Sequence, residues 1–267
     1  MRARAIVGGA SVLVAAVATH AVADTIDRAV TLPARTVGAV VDLYASRRAV
    51  TVGGVTAVST SEASRAAIGY GITDAIEVGL ELAFSLHHFQ TDQPLTLAGS
   101  FTLVRGSALE LGVTAGLAVA HDSTTRLELG VGARYKLGGQ VALVAGGAGI
   151  QSGRAQVGTG LGPLAPTALG RQLVVGLHSG TSGAPSSLDL PVGIVVQVTP
   201  QLELGLGTSL GHVGLANDAS AYTLPIELAA LFAASHALDL TVLVDIPDTR
   251  TAQLDLVFFG LGARYSY

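Results

Sequence analysis

Along most of this chain apolar and polar residues alternate with a period of two, the spacing of a β-strand whose faces meet different environments. The cleanest case is Ala75 to Leu82. Ile76, Val78, Leu80 and Leu82 share one face, and Glu77, Gly79 and Glu81 share the other. The phrase returns after Gly106-Ser107 as Leu109-Glu110-Leu111-Gly112-Val113, and after Thr199-Pro200 as Leu202-Glu203-Leu204-Gly205-Leu206. It returns again after Ser235-His236 as Leu238-Asp239-Leu240-Thr241-Val242. Each copy reads as a turn, an apolar residue, a carboxylate and a further apolar residue, which predicts a tight turn feeding a strand.

A second phrase, Gly-x-Gly-Ala-Arg-Tyr, occurs at Gly130–Tyr135 and Gly260–Tyr265, once before a tight turn and once before the last residues of the chain. Both places are therefore expected on one rim. Turns near 73, 106, 138, 170, 199 and 235 fall at the spacing of a hairpin plus one long loop. The first strand is expected over Arg35–Ala45, a long loop within Ser46–Ser61, and a returning strand over Ala63–Ile72. Further loops are expected over Ser85–Pro94 and Ser152–Leu169. The result is a single all-β domain, an antiparallel up-and-down barrel of about 14 strands, or about 12 if Ser152–Leu169 is all loop.

Composition narrows the setting. Charged residues make up 13% of the chain, against about 25% in soluble domains, and mean hydropathy is +0.56 with 34 Gly, no Cys and no Trp. Such a chain has too few charges for a solvated outside and too many apolar residues for disorder. The net charge of -4 gives no basic stripe for nucleic acid. At the start, Arg2 and Arg4 precede an apolar run to about Ala18, and Ala21-Val22-Ala23 forms an A-x-A site before Asp24. Residues 1–23 thus read as a cleaved signal peptide and 24–267 as the barrel domain. Loss of Arg2 and Arg4 takes the net charge from -4 to about -6.

The last strand carries the resemblance. Tyr267, Tyr265, Ala263, Leu261 and Phe259 lie on one face, with Arg264, Gly262 and Gly260 on the other. An apolar aromatic edge of this kind needs cover or a partner, and pairing with the first strand removes it. In these features the sequence resembles the outer-membrane β-barrel proteins of Gram-negative bacteria, of the porin-like, transporter type. The resemblance implies a bilayer setting, an apolar outer face and a polar lumen. It also implies that the assembly machinery reads Phe259, Leu261, Tyr265 and Tyr267. Tyr70, Tyr135, Tyr265 and Tyr267 fall at expected periplasmic ends, and Tyr44, Phe84 and Tyr222 at expected extracellular ends, as interfacial girdles require.

If the aliphatic face meets lipid, Glu77, Glu81, Glu110, Glu128, Glu203 and Asp239 face inward together with Arg134, Lys136 and Arg264. Glu77, Glu110, Glu203 and Asp239 share one offset from their turns and so one depth. Two readings follow. The carboxylates form a cation-favouring constriction for small solutes, or they pair across strands, as Glu110 with Arg134 or Lys136, and brace the wall. The matching functions are a passive channel and a non-conducting structural or interaction barrel with a plugged lumen. A weaker third is an outer-membrane hydrolase built on His178 and Ser179, but adjacent strand residues point to opposite faces. His87, His88, His121, His178 and His212 show no diagnostic metal spacing. Gly158–Gly162 lacks the Lys-Ser/Thr ending of a phosphate loop. The sequence therefore implies no enzyme, no cofactor and no metal; its partners are membrane lipid, the assembly machinery and small solutes, and a homo-oligomer is compatible with it.

Overall fold

The structure is a computed structural model. It describes residues 31–84, 95–119, 125–145, 150–151, 156–157, 173–179, 186–215, 226–246 and 256–267. Among these there is no helix, and the chain is a succession of antiparallel strands. The first group is β1 (Val37–Val52), β2 (Val55–Thr73), β3 (Ile76–Phe84), β4 (Leu95–Arg105), β5 (Leu109–Val119), β6 (Thr125–Lys136) and β7 (Val141–Ala145). After the short pair β8 (Ile150–Gln151) and β9 (Gln156–Val157) come β10 (Leu173–Ser179), β11 (Ser186–Thr199) and β12 (Leu202–Leu215). The last three are β13 (Ile226–Ala233), β14 (Leu238–Ile246) and β15 (Leu256–Ser266).

All but β8 and β9 form one 13-stranded sheet that closes on itself. The closing seam joins last strand to first, from Gly38 opposite Ser266 to Arg48 opposite Leu256. Backbone bonds between Val37 and Tyr267 finish it, at 2.7 and 2.8 Å. Closure leaves no free edge along this seam, which is the condition for a sheet to sit in hydrocarbon.

The number of strands around the wall follows from two shared neighbours. β7 pairs with both β6 and β11, and so does β10. On β6, Ala145 stands opposite Ala133 and Leu173 opposite Val131, so β10 continues the direction and register of β7 after residues 146–172. One of the 13 strands therefore shares a position, and the wall is twelve strands wide with one strand in two pieces. The barrel has the smaller of the two expected sizes. The expected turn near 170 lies outside the described residues, as does most of Ser152–Leu169. The register leaves no width there for two more wall strands.

The other five short turns are where the alternation put them, each linking consecutive strands. Hydroxyls fix three of them. Thr199 Oγ1 accepts from the N–H groups of Gln201 and Leu202 at 3.2 and 3.0 Å, and Ser235 Oγ accepts likewise from Ala237 and Leu238 at 3.2 and 3.0 Å. Thr73 Oγ1 accepts from Ala75 N–H at 3.2 Å. These side-chain bonds replace ladder bonds that a turn cannot make.

One expected loop is a strand pair instead. Ser46–Ser61 continues β1 and β2 in register from Ser46–Ser61 up to Val52–Val55, turning at Gly53-Gly54 with φ of 60° and 82°. Two positive φ values are what a two-residue hairpin turn requires, and glycine supplies them without strain. At about 3.3 Å per residue the 16 residues of β1 reach roughly 50 Å, well beyond an apolar band of about 25 Å even when tilted. Tyr44 accordingly falls in the middle of β1 rather than near its end, opposite Gly260.

Burial alternates with the same period as hydropathy. Along β13 every second residue is buried, Glu227, Ala229, Leu231 and Ala233, while Leu228 and Phe232 are exposed. Exposed aliphatic and aromatic residues lie on one face around the wall, among them Val41, Leu80, Leu97, Leu117, Leu206, Val242 and Leu261. A soluble protein does not carry an apolar surface of that extent, whereas a bilayer-spanning barrel requires it. The fold is that of a transmembrane β-barrel of the outer-membrane type. Tyr70, Tyr135, Tyr265 and Tyr267 are exposed near the rim of the short turns, as expected for one girdle. Phe84 ends β3, and Tyr222 lies outside the described residues.

Candidate functional site

The buried face lines the lumen. Asp42, Glu77, Glu81, Glu110, Glu203, Glu227 and Asp239 are buried there, with Arg134 the one fully buried cation among the described residues. Lys136 is half-buried two residues beyond Arg134 on the same strand. Small or hydroxylic residues fill much of the remaining inner face, including Ser64, Thr96, Ser100 and Thr102. A small apolar cluster of Val144, Val195 and Ala229, with Leu243 against it, occupies one side.

Four carboxylates hold one structural position. Glu77, Glu110, Glu203 and Asp239 are each the second residue of a strand that rises from a short turn, β3, β5, β12 and β14. The corresponding residue of β7 is Ala142 and that of β1 is Gly38. Starting at the same rim, the four lie at closely similar depth near the mouth on the side of the short turns.

Their neighbours differ. Glu110 stands between Arg105 on β4 and Arg134 on β6, directly opposite each. Arg134 Nη2 donates to Glu110 Oε2 at 2.5 Å, and Arg105 Nε is 3.5 Å from Glu110 Oε1. The wall-bracing pair open in the sequence is formed, and Arg105, which the alternation does not single out, completes a ladder of three charges. Glu203 is opposite Gln197 on one side and Leu231 on the other. Asp239 is opposite Arg264 across β14 and β15. Glu77 Oε2 accepts a hydrogen bond of 2.9 Å from the backbone N–H of Leu32, in the lead-in before β1. That contact carried no signal in the sequence pattern, since any residue but proline offers the same donor.

Farther up the wall, Glu81 faces Ala67 and Thr96. Glu128 lies in β6 with its backbone opposite Gly116 and Gly176. His178 and Ser179 are consecutive on β10, opposite Arg126 and Thr125. Loop histidines 87, 88 and 121 lie outside the described residues. Among the described residues no three His, Cys, Asp or Glu side chains are close enough to hold a metal ion.

No family model matches the chain, and no curated protein sequence matches it. Solved structures do. The KdgM porin, in complex with disordered oligogalacturonate, superposes with TM-score 0.57 at 8% identity, covering 85% of this chain and 99% of that one. An outer membrane channel from Pseudomonas putida F1 gives TM-score 0.57 at 15% identity, covering 90% and 98%. The NanC porin gives 0.54 at 7% identity, covering 84% and 98%. The fold is thus shared with outer-membrane β-barrels. At these identities the likeness is one of fold.

Proposed function

We propose that the protein is a passive outer-membrane channel for small solutes that favours cations. The observation that carries this reading is the set of carboxylates buried on the inner face, which among the described residues outnumber the buried cations and recur at one depth near the mouth. A lumen lined this way concentrates cations and repels anions. Glu81, Glu203, Glu227 and Asp239 are the candidates that would set the preference, and Glu110 is bridged to Arg105 and Arg134. Oligogalacturonate, named with one neighbour of similar fold, is a polyanion, so this lining does not support a like substrate here. The same reading includes export with cleavage before Asp24 and recognition of Phe259, Leu261, Tyr265 and Tyr267 during assembly.

A second reading, a non-conducting barrel with a filled lumen, is favoured by one specific observation. Glu203 and Leu231 on the inner face are each only 1% exposed, less than a wide aqueous pore would leave them. Liposome swelling separates the two readings. Proteoliposomes diluted into isotonic arginine, glycine or glutamate should swell fastest in arginine and slowest in glutamate if the channel reading is right. Absence of swelling in all three, with the barrel folded, would support the filled lumen.

A further inference from the structure

The residues just before the first strand do not trail away from the barrel. Thr31 and Leu32 are buried, at 3% and 5% exposure, and Leu32 packs on the inward-facing Val40 and Ala67. The segment enters the mouth against β1–β4 and is bonded there. Leu32 N–H donates to Glu77 Oε2 at 2.9 Å, and Ala34 N–H donates to Asp74 Oδ1 at 2.9 Å. Arg105 Nη2 donates to Thr31 Oγ1 at 2.9 Å and to the Asp74 carbonyl at 2.6 Å, so one guanidinium ties the segment to the turn between β2 and β3.

Two backbone features are shaped to this segment. Arg35 has φ of 64°, a left-handed conformation that side chains disfavour, and its N–H donates to the Gly71 carbonyl at 2.7 Å. Gly71 lies under the segment so closely that a Cβ there would collide with the Pro33 carbonyl oxygen. A loose tail needs neither. A glycine without room for a methyl group and a strained arginine together describe a seat.

We propose that Thr31–Thr36 is a strap that narrows the periplasmic mouth, and that Glu77 serves as its latch rather than as a selectivity carboxylate. The proposal rests on the channel reading, because a strap has nothing to close in a filled barrel. Release would uncover Val40, Ala67 and Glu77 together and widen the passage on the β1–β4 side.

The chain has no cysteine, so an engineered pair can be followed without background. Thr31 Oγ1 and Thr102 Oγ1 are 3.1 Å apart, and the double variant Thr31→Cys/Thr102→Cys should oxidise readily in the folded barrel. Crosslinking reads strap docking whether or not the barrel conducts. Single-channel conductance is then compared for the oxidised pair, the reduced pair, Gly71→Ala, and a chain lacking Asp24–Ala34. The strap account expects a crosslink in high yield, the lowest conductance when oxidised, and a rise of about twofold or more in Gly71→Ala and in the deletion. No crosslink overturns the docked strap, and a crosslink with conductance unaltered by deletion overturns its closing role. Silence in every folded variant, with the crosslink formed, overturns the channel reading and leaves docking established.

Discussion

Arg134 Nη2 stands 2.5 Å from Glu110 Oε2, and the two residues face one another across β5 and β6 with 3% and 6% of their side chains exposed. A pair this deep does not stabilise by Coulomb attraction alone, since both ions have lost water. Its cost appears when one partner is removed. Arg134→Met leaves Glu110 buried beside Arg105, which is 40% exposed and 3.5 Å away. The barrel should lose about 3 kcal/mol in urea unfolding from lipid vesicles, and Glu110→Gln in the same chain should restore much of it. Additive losses in the double variant would show that the two charges do not act as a pair.

At the closing seam, Gly262 sits between Asp42 and Thr241, directly opposite both. Their side chains lean across it, and a Cβ would collide with Asp42 Oδ1 and Thr241 Oγ1. Gly262→Ala should cost about 1–2 kcal/mol through overpacking. Asp42→Ala should relieve part of that cost when combined with it, because it vacates one of the two colliding atoms. The check is a double-mutant cycle on unfolding midpoints. A cost unaltered by Asp42→Ala would place the strain elsewhere.

The assignment of faces is testable on one strand. Leu206 is exposed on the lipid face and Glu203 is buried on the lumen face of β12. Leu206→Arg should impair assembly, costing about 2–4 kcal/mol if it lies near the bilayer midplane. Glu203→Gln should assemble almost as the parent does. The heat-dependent gel shift of a folded barrel reads both, and equal assembly of the two variants would reverse the faces.

Much of this architecture was legible because period-two alternation and barrel geometry state the same constraint. Glu77, Glu110, Glu203 and Asp239 could be placed at one depth because each follows a turn by the same offset. Strand number was harder. Residues 146–172 divide one rising strand into β7 and β10, and their length imitates a hairpin, so Gly170 looked like a sixth turn. The long β1–β2 hairpin was missed for a different reason. Ser, Thr and Arg at its outer end lack apolar contrast, although Gly53-Gly54 between Val52 and Val55 is itself a hairpin signal. The strap had no signature at all. Thr31–Thr36 is short and aperiodic, and most of the donors it contributes are backbone N–H groups, which any residue but proline offers.

The most direct test of the central claim is the reversal potential of the refolded chain from Asp24 onward, in a planar bilayer under a KCl gradient. The account predicts discrete conductance steps with a reversal potential of the sign that marks potassium as the more permeant ion, shifted toward zero by Glu203→Gln combined with Asp239→Asn. A chloride-favouring potential would contradict the role given to the lumen carboxylates, and a barrel that is folded yet silent, with its strap deleted, would contradict the channel itself.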